Sequence, residues 1–258
     1  MRYLAIPDLH GHYDELMELM TICVNEGFDP VKDTAVFLGD YVDGGLQTRQ
    51  LLDTLIEWKQ QYPHWVFLMG NHERMLLDAV KNGAGTWPWE GWYHQGGAET
   101  IHSYLDPVTG KNNGTLFYEH REWLARLNKY HVTDNHIFVH AGLRPPLPVE
   151  AQVEDDLLWI REEFIESNYD WGKRVVYGHT PTAVPRIERN KIGLDTKPRE
   201  EGFICAALID DSNQTNCHIF YPPKAEDVMK NRAKYVFDWP LSLDVDKDNA
   251  PWPLTGVD

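Results

Sequence analysis

The sequence lacks the features that mark disulfide-stapled, membrane-spanning or nucleic-acid-coating proteins. It has only three cysteines, Cys23, Cys205 and Cys217, an odd number at unrelated spacings that implies neither a disulfide framework nor a zinc finger. Cys23 falls on a helical face and Cys205 in a strand, where buried free thiols are expected. Positive charge is scarce: 24 Lys and Arg stand against 40 Asp and Glu, for a formal net charge of −16. A broad DNA- or RNA-binding face needs clustered Lys and Arg, so no extended nucleic-acid binding is expected. A small phosphate-bearing substrate stays compatible, because bound cations would dominate its local field. No apolar run reaches the length of a membrane span, and no basic region precedes a short apolar one at the N-terminus. A cytoplasmic protein without a membrane partner is therefore expected. Repeats and low-complexity tracts are absent.

What is present is a set of short polar stretches, each closing an apolar run. They are Asp8-Leu9-His10-Gly11, Gly39-Asp40-Tyr41-Val42-Asp43-Gly44-Gly45, Gly70-Asn71-His72-Glu73, His140-Ala141-Gly142 and Gly178-His179-Thr180. The runs before them, Tyr3–Ile6, Thr34–Leu38, Trp65–Met69, His136–Val139 and Arg174–Tyr177, read as buried strands that release the chain into loops. Helical spacing follows over Tyr13–Asn25, Thr48–Gln60 and Glu73–Val80. Alternating strands and helices imply α/β packing around a mainly parallel sheet. From 82 to 135 the alternation lapses, and an insertion with helices over Ala98–Leu105 and Glu119–Leu127 is expected to fold over the site. Its Trp87, Trp89, Trp92 and Tyr93 cluster reads as a small satellite core rather than a substrate pocket. Asp155–Ile165 is helical, and Arg186–Leu194, Ile204–Asp210 and Cys217–Tyr221 are later strands, the last two a hairpin. The chain thus divides into a catalytic domain over 1–221 and an extension over 222–258, with a short basic helix near Val228–Tyr235.

In open α/β sheets, ligands sit beyond the carboxyl ends of strands. Asp8, His10, Asp40, Asn71, His140 and His179 all lie at such ends, and carboxylate, amide and imidazole without thiolate suit hard-to-borderline divalent cations. Asp40, at the middle strand end, is the expected bridge between two ions, with Asp8 and His10 on one and Asn71, His140 and His179 on the other. Two cations about 3.5–4 Å apart can hold the attacking and leaving oxygens of an in-line displacement and make a bridging water hydroxide near neutral pH. His72 follows Asn71 directly, so its side chain diverges toward substrate as a general acid. Asp43 is placed to hold the far ring nitrogen. His12, His64, His94, His120 and His218 read as ordinary loop or core histidines.

The ordered set Asp-x-His-Gly, Gly-Asp-x-Val-Asp-x-Gly, Gly-Asn-His-Glu, His-Ala-Gly and Gly-His-Thr resembles the phosphoprotein phosphatase branch of the calcineurin-like metallophosphoesterases. Within that branch it is most similar to bacterial and bacteriophage-lambda-type serine/threonine protein phosphatases. The resemblance spans about 3 to 209, including Leu157-Leu158-Trp159-Ile160-Arg161-Glu162. It implies a β-sandwich of two mixed sheets flanked by helices and a dinuclear metal centre, often active with manganese, with iron, zinc and magnesium as other occupants. It also implies metal roles for the six residues above, the Asp43–His72 dyad, and phosphate binding by Arg161. Two departures stand out beside Pro7, which replaces a usual glycine. Gly44 occupies the place of an arginine that grips phosphate, and a guanidinium fork makes bidentate bonds that glycine cannot. The stretch 197–202 replaces a small glycine-rich turn at the substrate mouth. Arg49 and Arg144 could reach in, though each reads as a surface charge. The expected activity is metal-dependent hydrolysis of phosphomonoesters on protein side chains. A nucleotide hydrolase of the diadenosine-tetraphosphate type, acting on a diester or bulkier nucleotide, is the alternative. A catalytically weak metal-containing binding protein is the second.

Overall fold

Two sheets, rather than one, receive the strand ends that carry these motifs. The computed structural model describes residues 1–106, 108–111, 118–196 and 202–230. In the first sheet the order is β10-β9-β1-β2-β3, formed by Cys217–Phe220, Ala206–Asp210, Arg2–Ile6, Thr34–Phe37 and Val66–Phe67. The second has the order β4-β5-β6-β8-β7, formed by Tyr130–Val132, His136–Val139, Arg174–Tyr177, Lys191–Gly193 and Arg186–Ile187. Both are mixed: β1, β2 and β3 run parallel, as do β5, β6 and β8, while β9, β10, β4 and β7 join antiparallel.

The period of two along each central strand decides which layer a side chain enters. In β1, Leu4 and Ile6 face one core, and Tyr3 and Ala5 face another. The first core lies under α1 (Tyr13–Asn25) and α2 (Thr48–Gln61), and it takes in Leu76 and Ala79 of α3 (Asn71–Asn82). The second is the interior between the sheets, where Tyr3, Ala5, Val36 and Leu38 meet Phe138, Val176 and Ile192. Ile137, Val139, Val175 and Tyr177 face the outside of the second sheet, against Leu157 and Phe164. Each central strand is thus buried on both faces, which is why it reads as an unbroken apolar run. One covering layer is helical and the other is the opposite sheet.

Several bounds differ from the sequence reading. Trp65–Met69 yields only the two-residue β3, extended by a bridge from Leu68 to Asn128. Asp155–Ile165 splits into α7 (Glu154–Trp159) and α8 (Glu162–Ile165), broken where Arg161 adopts φ −130° and ψ −97°. The insertion contains α4 (Trp87–Trp92), a π-helical turn over Tyr93–Gly97, α5 (Ala98–Ser103) and α6 (Tyr118–Leu124). Of the extension, Glu226–Lys230 forms α9, and Lys224 pairs with Glu15 at 2.9 Å. The altered mouth at 197–201 and the chain from 231 onward lie outside the described residues. Among those residues, no helix is long and apolar enough to cross a membrane.

Candidate metal centre

The motif loops adopt a backbone that few side chains tolerate. Among the described residues, the non-glycine positions with positive φ are His10 (43°), Asp40 (52°), Asp43 (72°) and His179 (60°). Left-handed conformations cost on the order of 1–3 kcal/mol each and collect at functional sites. Glycines beside them permit close approach. A Cβ at Gly70 would lie 2.1 Å from Asp40 Oδ1, and one at Gly178 would lie 2.6 Å from Asp8 Oδ2. Glu73, fully buried, anchors the second and third loops together. Its carboxylate accepts the backbone N–H groups of Asp40 (2.8 Å), Tyr41 (2.8 Å), Val42 (3.2 Å) and Gly70 (2.9 Å).

The six expected ligands are all buried at one rim where the two sheets meet. Asn71 Oδ1 lies 2.8 Å from His140 Nε2 and 3.0 Å from His179 Nδ1. Asp40 Oδ1 lies 3.5 Å from His140 Nε2, while its Oδ2 lies 3.6 Å from His10 Nε2. Asp40, His140 and His179 thus form one donor cluster, and Asp40, His10 and His72 form another. Asp8 stands beside these clusters: both of its oxygens accept the His179 backbone N–H, at 3.0 and 2.8 Å, and Oδ1 is 3.8 Å from His140 Nδ1. Backbone carbonyls set the tautomers. His10 Nδ1 donates to Val42 O at 3.1 Å and His140 Nδ1 to Leu38 O at 2.9 Å, which leaves each Nε2 lone pair directed at the cluster.

The electrostatics suit divalent cations. Burial, then Asp195, pushes Asp8 well above the usual carboxylate range, and burial, then Asp8 and Glu73, does the same to Asp40. Burial, then His179, drives His140 far down, and burial, then Arg161, lowers His179 to about 3. Crowded anionic carboxylates beside neutral imidazoles repel one another and offer only lone pairs. A cation between them reverses both costs. The residues present therefore fit a pair of metal ions, with Asp40 common to both donor clusters.

The dyad has hydrogen-bond geometry. His72 Nδ1 donates to Asp43 Oδ2 at 2.7 Å, and His72 Nε2 stands 4.0 Å from Asp40 Oδ2.

The model of the calcineurin-like phosphoesterase family matches residues 1–199. The chain belongs to that family. Members of the family hold a dinuclear metal centre, as the donor set here suits. The chain is 29% identical over 182 residues to the symmetrical bis(5'-nucleosyl)-tetraphosphatase of Nitrosospira multiformis, covering 70% of this chain and 58% of the relative. It is 28% identical over 183 residues to serine/threonine-protein phosphatase 1 of Salmonella typhimurium, covering 69% of this chain and 77% of that one. It therefore spans less than two thirds of the length of the tetraphosphatase it matches. A crystal structure of a putative diadenosine tetraphosphatase shares the fold with a TM-score of 0.62 at 20% identity, over 85% of this chain and 93% of that one.

Against the calcineurin-like pattern, Gly44 is more than a missing arginine. It has φ +87°, and its N–H donates to Gly96 O at 3.1 Å, so the left-handed backbone there suits glycine and ties the loop to the insertion. A cavity of about 410 Å³ opens beside it, lined by Tyr93, His94, Gly96, Ala98 and Glu99. Arg161 is exposed at the α7–α8 break, and its charge reaches both His179 and His140. Arg49 and Arg144 are engaged elsewhere, Arg49 over the Tyr104 ring and Arg144 on Asp156 and Glu163. Sequence reasoning missed Glu73, Asp195, Trp92 and Thr100. Glu73 lies inside the third motif and Trp92 in the aromatic cluster, signals that mark their places and not what they hold.

Proposed function

We propose that the protein is a dinuclear metal-dependent phosphomonoesterase that acts on phosphorylated protein side chains. The observation that carries this reading is Asp40: its carboxylate belongs to both donor clusters and also lies 4.0 Å from the nitrogen of His72 that faces away from Asp43. Asp8, His10 and Asp40 would hold one cation, and Asp40, Asn71, His140 and His179 the other. When bound, such ions polarise the phosphoryl oxygens and acidify water. Asp43 accepts the hydrogen bond from His72 Nδ1 and fixes the ring, so that Nε2 faces the departing alkoxide as the proton donor. Arg161, without a hydrogen bond or ion pair from its side chain among the described residues, is available to the phosphoryl oxygens. Burial of the six ligands and of the Asp43–His72 pair keeps water from screening their charges. The name of the Salmonella relative, serine/threonine-protein phosphatase 1, supports the monoester reading.

A second reading, hydrolysis of a dinucleotide polyphosphate, is favoured by the cavity at Gly44 and by the names of the tetraphosphatase relatives. Metal-stripped protein reloaded with manganese decides between them. The substrates are para-nitrophenyl phosphate, a phosphoserine peptide, bis-para-nitrophenyl phosphate and diadenosine tetraphosphate. Preference for the monoester and peptide supports the first reading, and preference for the dinucleotide supports the second. No hydrolysis of any of them, with both metals bound, sinks both.

A further inference from the structure

The insertion does more than cover the site. Asp43 is fully buried, and two residues far along the chain hold its carboxylate. Trp92 Nε1–H straddles both oxygens, at 2.9 Å from Oδ1 and 3.0 Å from Oδ2. Thr100 Oγ1 donates to Oδ1 at 2.8 Å and accepts the Asp43 backbone N–H at 2.8 Å. One hydroxyl thus fixes the side chain and the left-handed backbone of the same residue. With His72 on Oδ2, three donors define the carboxylate plane.

We infer that Trp92 and Thr100 are positioning residues for the acid: through Asp43 they aim the His72 imidazole at the leaving group. The kink between them makes this possible. An unbroken helix would separate positions 92 and 100 by about 12 Å along its axis, too far to share one carboxylate. Here the helix is interrupted at Gln95 and at Gly96 (φ +109°), and Gly44 N–H grips Gly96 O at 3.1 Å. Gly97 packs on the indole so closely that a Cβ there would lie 2.6 Å from the ring. The pair Gly96-Gly97 is therefore what lets both donors converge.

This inference rests on His72 being the acid, and the test separates the two. Leaving groups of rising pKa need rising proton donation, so kcat is compared on para-nitrophenyl phosphate, phenyl phosphate and a phosphoserine peptide. The variants are Thr100→Val, which keeps volume and removes the donor, and Trp92→Phe, which keeps an aromatic ring and removes the indole N–H, with Thr100→Ser as rescue and His72→Asn as reference. Thermal melting and metal content are measured on all of them. The expected result is a loss of about tenfold or more in kcat on phenyl phosphate and the peptide, with only about threefold on para-nitrophenyl phosphate. KM and metal content stay unchanged, and Thr100→Ser recovers. Equal losses on every leaving group, or loss of metal, would make the contacts merely structural and overturn the inference. So would wild-type rates in both variants while His72→Asn is selectively impaired. If His72→Asn itself shows no leaving-group dependence, the acid assignment falls and takes this inference with it.

Discussion

Two buried histidines in this molecule donate Nδ1 to an aspartate at the same distance, 2.7 Å: His72 to Asp43, and His136 to Asp211. Distance and burial do not distinguish them. Surroundings do. His72 sits beyond strand ends, beside Asp40 and His10, with its far nitrogen toward a rim of lone pairs. His136 opens β5, its Nε2 has no hydrogen-bond partner among the described residues, and its aspartate is consumed by the turn before it. Asp211 accepts Thr133 Oγ1 at 2.6 Å and the backbone N–H groups of Asp134 and Asn135, each at 3.2 Å. A His–Asp pair becomes a proton donor only when its open nitrogen meets a place where substrate can sit. Elsewhere the same bond is a staple.

The comparison sharpens under substitution. Asp40→Asn, which touches both clusters, should cost on the order of a thousandfold or more in kcat/KM, with metal content falling by plasma emission spectroscopy. His72→Asn should lower kcat by about 10²–10⁴ and leave both metals bound. Metal loss in that variant would make His72 a ligand, as its place in one cluster with His10 and Asp40 allows. Arg161→Ala should raise KM and lower kcat/KM roughly 10- to 100-fold by removing charge-assisted bonds to phosphate. Asp211→Ala should leave kcat and KM intact and destabilise by about 1–3 kcal/mol, read as a lower Tm. Any large activity loss there would erase the distinction drawn above. The smallest effect is in pH. Burial holds the His136 imidazole below its ordinary range despite Asp211. Below about pH 6.5 the unfolded chain therefore takes up a proton that the folded one resists, and stability falls as pH drops through that value. His136→Gln should flatten that part of the Tm profile.

The strand ends were legible because their signals are local. An apolar run closed by Gly, Asp or His states both the strand and its rim residue, and Asp8, His10, Asp40, Asn71, His140 and His179 all follow that rule. The dyad was legible because Asn71 and His72 are neighbours whose side chains must diverge. The clamp on Asp43 was not, since Trp92 and Thr100 lie 49 and 57 positions away and look like core and helix residues. The break at Ile160-Arg161 carries no Pro or Gly, so periodicity ran through it. β4 is too short to show alternation, and its partner β5, not its own sequence, makes it a strand.

Glu73 has a kinetic consequence. Amide protons in irregular loops ordinarily trade with solvent deuterium far faster than those in sheets. Those of Asp40, Tyr41, Val42 and Gly70 are all held by one interior carboxylate, so they can exchange only when that carboxylate lets go. The loops that carry the chemistry should therefore open on the timescale of the strands beneath them, and all four protons should be lost together.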